Sequence, residues 1–192
     1  MTLFSCNDNV QKSVSKNEKL ELLQEPDKDL TEKYEKEKDS FTTDTTYQEF
    51  MGEKLKPIRK KLKPLLNSQK WTSMDKRKID TKNGNGAAVY YFLDKELRKI
   101  RLLENTDSTD RFVEFYLDDK NLFFIFERHT NNYDLKNDPE FYEPFEDSLF
   151  FENDKLIRIK SNMDCGAPFA EDYRKEEQVR LKTEFKKLKE RL

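Results

Sequence analysis

One pattern recurs three times between Gly86 and Lys160, and it constrains the fold more than any other feature of the chain. The copies begin at Phe92, Tyr116 and Phe151. In each, an aromatic residue ends an apolar run, polar residues rich in Asp, Asn and Lys follow, and a leucine opens the next apolar run. This is the pattern of a β-hairpin, in which a short polar turn joins two apolar strands. Three successive hairpins predict an antiparallel β-meander.

Alternation along the predicted strands gives the faces of the sheet. In the run 112–117 one face is wholly apolar and the other is mixed, whereas residues 122–126 are apolar on both faces. The second pattern is typical of a strand in the middle of a sheet that is covered on both sides. Alternating cations in 98–102 and 157–160 predict strands toward the edges, where charge discourages pairing with another chain. We therefore expect five to seven strands, with one apolar and one half-polar face.

The first strand is predicted to open at Trp71 and to end near Asp80. The segment from Asn83 to Gly86 contains two Asn-Gly pairs, which supply the positive φ angles of a tight hairpin turn. It lacks the third glycine and the following helix of a phosphate-binding loop. We therefore interpret it as a turn that leads into the next strand.

Helices are predicted before and after the strands. Apolar residues recur at helical spacing over 46–67, and Pro57 and Pro64 predict that this helix is kinked or split. After Pro168 a second amphipathic stripe has acids near its start and bases near its end, which complements the helix dipole. The whole pattern predicts an α+β fold: an antiparallel β-meander sheet with an N-terminal kinked helix and a C-terminal amphipathic helix.

Composition changes sharply along the chain. Of the 192 residues 34% are hydrophobic and 40% are charged. The sequence has no run of 18 or more apolar residues, which is the length needed to span a bilayer. The first 46 residues hold few apolar side chains, so they bury too little surface to offset their ordering entropy. We predict three parts: a lipobox-like remnant at 1–6, a flexible tether at 7–46 and a single α+β domain at 47–192.

The first six residues are similar to the end of a bacterial lipoprotein signal. Leu3 lies three residues before Cys6 and the small Ser5 directly precedes it, although Phe4 is bulkier than usual. Either the basic and apolar parts of such a signal lie upstream of Met1, or the match is coincidental. Since a lipidated cysteine needs a spacer, the tether favours lipidation of Cys6 and a membrane anchor. The alternative is a cytoplasmic protein in which Cys6 is an exposed thiol.

The longest predicted loop, residues 130–147, holds the candidate binding residues. Four aromatic side chains lie there among acids and prolines: Tyr133, Phe141, Tyr142 and Phe145. Aromatic faces beside carboxylates suit a cationic or sugar-like ligand, and long loops in compact domains are often functional. The alternative is that these side chains cover an edge or a face of the sheet.

A basic segment from Lys54 to Lys82 is the one feature that points to nucleic acid or to another anionic surface. The alternative is a solvated outer side, balanced within the fold by the acidic stretch from Asp134 to Asp154. A charged outer side is what any helix packed by one face must show. We therefore regard nucleic acid as the less favoured partner.

No catalytic or metal-binding constellation is predicted. The sequence has a single histidine, His129, whereas a metal site of the common type needs several His or Cys ligands. It has no Gly-x-Ser-x-Gly elbow and no Walker loop, and Cys165 has no neighbouring base to activate it. We expect no cofactor and no metal. A small hydrolase that uses acidic residues of the 130–147 loop remains an alternative.

The lipobox-like start, the tether, the Trp71 strand, the hairpins and the segment from Asp164 to Phe169 together resemble a predicted lipoprotein group of Bacteroidota. The hairpins also resemble degenerate toxin-type membrane-occupation repeats. The resemblance covers most of 47–192, and it implies a place in the periplasm or outer membrane without implying a reaction. The sequence thus predicts a non-enzymatic, membrane-tethered binding or structural domain. Its half-polar sheet face or its 130–147 loop would meet a protein or another envelope ligand.

Overall fold

The computed structural model describes residues 45–66, 71–81, 84–138, 142–162 and 171–192. Its elements in chain order are α1 (Thr45–Leu66), β1 (Ser73–Thr81), β2 (Gly84–Leu93), β3 (Glu96–Asn105), β4 (Thr109–Asp118), β5 (Asn121–Asn131), α2 (Asn132–Asn137), β6 (Phe145–Glu152), β7 (Lys155–Ser161) and α3 (Glu171–Lys189). The seven strands form one antiparallel sheet in the order β1 to β7, so each strand pairs with the next along the chain. The predicted α+β fold with a β-meander is confirmed.

The three repeated hairpins turn at the same end of the sheet, which we call the turn edge. Each has a two-residue loop: Asp94-Lys95, Asp119-Lys120 and Asn153-Asp154. All six residues have positive φ, between 48° and 69°. Positive φ at both loop positions is typical of the type I′ turn, whose twist matches that of the flanking strands. Asp and Asn accept this conformation better than most residues, which explains their recurrence here.

A β-bulge follows each of these turns. In the first hairpin the pairing steps from Tyr91–Lys99 to Phe92–Leu97, so Arg98 is an extra residue on the second strand. The other hairpins repeat this step at Phe123 and Ile157. Because of the bulge, the residue two positions before the turn faces the repeated leucine after it, and both join the same core: Phe92 with Leu97, Leu117 with Leu122, and Phe151 with Leu156. The repeated sequence pattern therefore encodes a turn, a bulge and a core pair.

The connection between β1 and β2 differs from the prediction. Thr81 pairs with Gly84, and the register continues through Asn85 and Gly86, so these residues belong to β2. The predicted turn at 83–86 is wrong, since the connection is residues 82–83, which lie outside the described ranges. Two glycines thus begin a strand instead of reversing the chain.

Helix α1 packs on one face of the sheet. The apolar side chains on its inner side are buried: Leu55, Ile58, Leu62, Leu65 and Leu66. They pack with an aromatic layer from the central strands: Tyr116, Phe123, Phe124, Phe126 and Phe150. Burying one such side chain contributes about 1.5–3 kcal/mol, so this layer fixes the helix firmly.

Two prolines lie inside α1, and the helix runs through both of them from Thr45 to Leu66. This segment is therefore one helix and is not split into two pieces. Pro57 and Pro64 lie on the exposed side, as do Glu53 and Lys60, whose carbonyl groups lose their usual amide partners. Water can bond these carbonyls, which lowers the cost of the prolines.

Helix α3 packs on the opposite face of the sheet. Leu181 and Leu188 are buried against apolar residues of the strands: Ile100, Val113, Phe115, Ile125 and Leu149. The rings of Phe115 and Phe185 stack with their centres 5.8 Å apart, and the Tyr90 hydroxyl donates to the Leu188 carbonyl at 2.9 Å. The predicted C-terminal helix therefore covers the sheet. Residues 122–126 of β5 are buried on both faces, as their sequence predicts.

Helix α3 makes hydrogen bonds to the outer edge of the sheet at β7. At the outer side of β7, Gln178 Oε1 accepts a hydrogen bond from the Leu156 amide at 2.7 Å, and Arg174 donates to the Ile157 carbonyl at 3.4 Å. The prediction that β3 lies toward an edge is wrong, because β3 is the third of the seven strands. Its alternating cations are partly directed into the interior, where they find a carboxylate.

Candidate functional site

The predicted loop residues lie in different environments. Tyr133 is on α2 and is 72% exposed. The Tyr142 hydroxyl accepts a hydrogen bond from the Asn131 amide at 2.6 Å, which closes the base of the loop. The Phe145 ring lies 6.2 Å from the ring of His129. Phe141 and the lipidation candidate Cys6 lie outside the described residues. Among the described members of this set, Tyr133 alone presents a largely exposed aromatic face.

The described acids of the same loop do not converge. Asp134 and Asp138 are exposed at the two ends of α2. Glu146 and Asp147 are successive residues of β6, so their side chains point to opposite faces of the sheet. Glu146 and Asp147, the two buried acids among the described residues of the loop, therefore do not face each other.

The polar residues of the half-polar face form a buried cluster around Glu114, which we call the Glu114 cluster. Glu114 is 0% exposed. Its Oε1 accepts hydrogen bonds from Lys99 Nζ at 3.1 Å and from Arg101 at 2.7 and 2.8 Å, and its Oε2 accepts one from the Tyr116 hydroxyl at 2.6 Å. Burial alone would raise the pKa of Glu114, but the two adjacent cations lower it to about 2.

Aromatic rings flank both cations of this cluster. Lys99 Nζ lies 4.6 Å from the centre of the Tyr91 ring and 5.4 Å from that of Trp71, and the Arg101 guanidinium lies 5.3 Å from that of Phe112. The negative faces of these rings attract the cations. The Glu114 cluster is therefore interior structure, and the surfaces left for binding are the outer sides of the helices, the 130–147 loop and the turn edge.

A second charged network, the Glu127 network, joins α3 to the opposite face. Glu127 is 1% exposed and accepts hydrogen bonds from Arg111 at 2.6 Å and from Arg180 at 2.6 and 3.2 Å. Arg111 also binds both carboxylate oxygens of Glu184 on α3 at 2.7 Å. His129 Nε2 lies 3.1 Å from Glu127. Burial would raise the pKa of Glu127, but His129 and the two arginines together hold it far below its usual range.

Asp147 lies directly opposite Glu127 in the sheet, on the same face. It is 5% exposed, and its Oδ1 has no hydrogen-bond partner in the described part of the chain. Burial, with smaller contributions from Glu127 and Glu177, raises the pKa of Asp147 to about 6, although a hydrogen bond from Ser161 lowers it. At neutral pH the fold therefore holds a carboxylate that is poorly solvated.

Replacing Asp147 by Asn is expected to stabilise the protein at neutral pH. The pKa of Asp147 rises from 3.8 to about 6 on folding, so the folded state loses stability as pH rises through this interval. The variant removes that loss, which should add about 2–3 kcal/mol to the free energy of unfolding near pH 7.5 and little near pH 4. Urea denaturation at both pH values measures it. The exposed Asp107→Asn is the control, and an equal gain at both pH values would contradict the assignment.

The outer side of α1 is strongly basic. We call the α1 basic face the five cations Lys56, Arg59, Lys60, Lys61 and Lys63. Lys56 pairs with Glu53 at 3.3 Å and Lys61 with Asp118 at 2.8 Å, whereas Arg59 and Lys60 form no ion pair with any described residue. The exposed Lys76 and Lys78 of β1 stand on the same face of the sheet, since they pair with Val89 and Ala87 beside Tyr91. The face of the sheet that α1 covers therefore carries an excess of exposed positive charge.

Two clefts open at the turn edge, on either side of the Lys54–Glu152 ion pair of 3.6 Å. One, of about 370 Å³, lies between α1 and the loops of the second and third hairpins. The other, of about 680 Å³, lies between β7 and the first turns of α3. Sequence patterns missed both, because their walls come from segments that are far apart in the chain.

Comparison of the chain with protein-family models, with curated proteins and with solved structures finds no match. In the ranges that the structure describes, no helix is long and apolar enough to cross a membrane, and no group of three or more His, Cys, Asp or Glu side chains is placed to hold a metal ion. The arrangement of charge on the surface is therefore the main guide to function.

Proposed function

We propose that the protein is a non-enzymatic binding or structural domain, held by a lipid on Cys6 at a membrane of the bacterial cell envelope. The α1 basic face is the surface that lies against this membrane. The observation that carries the proposal is the position of this face: α1 is the first described element after the proposed tether, and its outer side is cationic.

The charge of α1 supports this orientation. From Glu53 to Lys63 the helix has six cations and one acid, and its apolar side is already buried against the sheet. The outer side therefore offers charge without an apolar stripe, which suits contact with anionic headgroups and does not suit insertion into the hydrocarbon. A cation near an anionic leaflet contributes about 1 kcal/mol to membrane binding.

The lipid anchor is tested by mass spectrometry of the natively expressed, full-length protein from membrane fractions. The N-terminal peptide is expected to carry acyl chains on Cys6, and Cys6→Ser is expected to release the protein from the membrane. An unmodified Cys6 would overturn the location.

The basic face is tested separately with the purified, non-lipidated chain. We expect sedimentation with vesicles of phosphatidylglycerol and phosphatidylcholine but not with vesicles of phosphatidylcholine alone. Replacing Lys56, Arg59 and Lys60 together by Gln should weaken this binding about a hundredfold, at about 1 kcal/mol for each cation. Because all three side chains lie on the outer side of α1, the variant should fold normally.

The matched control replaces three exposed lysines of α3, Lys186, Lys187 and Lys189, by Gln. It removes the same formal charge from the other side of the sheet and is expected to bind like the wild type. Equal loss in both variants would mean that net charge alone drives binding, which contradicts the proposed orientation.

Nucleic acid is the second candidate partner, because the α1 basic face together with Lys76 and Lys78 also suits a phosphate backbone. The discriminating measurement is retention on duplex DNA at low ionic strength. Retention stronger than on anionic vesicles, with a steep dependence on salt, would favour nucleic acid. Absence of retention would remove this candidate.

A further inference from the structure

The larger cleft at the turn edge has an unbalanced charge. Its walls carry four cations, Lys54, Lys155, Arg174 and Lys175, and two acids, Glu152 and Glu171. Lys54 pairs with Glu152 at 3.6 Å, and Lys175 pairs with Glu171 at 2.9 Å. Both acids are therefore paired, and the two remaining cations act on Glu171 only from beyond ion-pair distance, so the cleft keeps an excess of positive charge.

Arg174 and Lys155 are these two cations. Arg174 donates one weak hydrogen bond to the Ile157 carbonyl at 3.4 Å, while its Nε is buried and has no hydrogen-bond partner in the described part of the chain. A buried donor without a partner is costly, and native proteins rarely leave one. The Lys155 side chain is exposed and forms neither a salt bridge nor a hydrogen bond with any described residue. An anion in the cleft would place a negative charge beside both side chains.

The uncharged part of the cleft combines two polar residues, Asn153 and Gln178, with two apolar residues of β7. Leu156 and Ile157 of β7 belong to its lining, and Leu156 is buried in the core while Ile157 is half-buried. The volume of about 680 Å³ is within the range of pockets that hold small molecules. The cleft can therefore take a charged group and a short apolar group at the same time.

We propose that this cleft binds a small organic anion, in which a phosphate or carboxylate is carried on a short apolar group. The guanidinium of Arg174 receives the anion, because its planar fork matches the geometry of both groups. Lys155 closes the cleft from the solvent side, and the apolar group lies against Leu156 and Ile157. This site is separate from the α1 basic face and does not depend on membrane attachment.

The full-length chain is titrated with butyl phosphate and followed by ¹⁵N NMR, with butanol as the neutral analogue. Saturable shifts are expected at the Arg174 Nε–H and at the backbone amides of Leu156 and Ile157. Lys155→Gln should weaken binding about tenfold, the usual effect of losing one charge-assisted hydrogen bond. Glu171→Gln should strengthen it about twofold to fivefold, because an acid is removed from the lining.

Lys187→Gln is the matched control, since Lys187 is exposed on α3 outside the cleft. Its affinity should equal that of the wild type. Arg174→Gln should abolish binding but also removes a bond to β7, so Lys155→Gln and Glu171→Gln provide the decisive comparison. Shifts that do not saturate, or equal weakening by Lys155→Gln and Lys187→Gln, would overturn the proposal.

A second arm identifies the source of the anion. If vesicles that contain phosphatidic acid displace bound butyl phosphate and phosphatidylcholine vesicles do not, the natural ligand is a lipid headgroup. If neither displaces it, the ligand is a soluble anion. In both outcomes the cleft remains the binding site, and each outcome identifies a different class of ligand.

Discussion

Replacing Glu114 by Leu is expected to lower the free energy of unfolding by about 3–5 kcal/mol at neutral pH. The substitution removes the Glu114 carboxylate from beside Lys99 and Arg101, two cations that are at most 5% exposed. Their cation–π contacts with Tyr91, Trp71 and Phe112 offset only part of this loss. Urea denaturation, followed by the fluorescence of Trp71, measures the change.

The control removes the whole Glu114 cluster at once. Replacing Lys99, Arg101 and Glu114 by Met, Leu and Leu, with Tyr116→Phe, exchanges the ion pairs for apolar contacts and is expected to recover most of the lost stability. A cost below about 1 kcal/mol for Glu114→Leu alone would contradict a dry interior.

Lowering the pH should also destabilise the protein, because it protonates Glu114. Folding lowers the pKa of Glu114 from 4.5 to about 2, so its ion pairs stabilise the protein fully above pH 4.5. That stability, about 3 kcal/mol, is lost as pH falls through this interval. Asp147 acts with the opposite sign, since the neutral form of its carboxyl is the one that the fold favours.

Replacing Glu127 by Leu is expected to lower the free energy of unfolding by about 3 kcal/mol. Arg111 and Arg180 keep their other acids, Glu184 and Glu177, so the loss is somewhat smaller than at Glu114. Because Glu127 joins α3 to β4 and β5, hydrogen exchange should accelerate first in α3.

The control for this variant is Glu176→Gln, which changes an exposed acid of α3 and should alter stability by less than about 0.5 kcal/mol. Uniform acceleration of exchange throughout the sheet, with no preference for α3, would show that the Glu127 network does not have the role of attaching the helix.

The hairpins could be predicted from the sequence because their signal is local. Asp119-Lys120 and its counterparts lie within two residues of the strands that they join, and the turn type follows from the residues of the loop. The buried charges could not be predicted in this way. Lys99 and Arg101 are typical of an exposed edge until the register places Glu114 beside them, 13 to 15 residues later in the chain.

The cleft between β7 and α3 was even less predictable from the sequence than the buried charges. Lys155 flanks a turn and Arg174 lies on a helix, and neither has an unusual neighbour in the sequence. Only the packing of α3 along β7 brings them together and leaves the Nε of Arg174 without a hydrogen-bond partner among the residues that the structure describes. The excess positive charge of the cleft arises only when its walls come together in the fold, so no local sequence motif predicts it.

The turns with bulges at one end of the sheet have a consequence for how this architecture can vary in size. Each repeated unit contributes a pair of strands, so the chain leaves a unit at the end of the sheet where it entered. Gain or loss of a whole unit preserves strand polarity and keeps α1 and α3 on their own sides. Gain or loss of a single strand would bring α3 in from the wrong end, so sheets of this design should change width in steps of two.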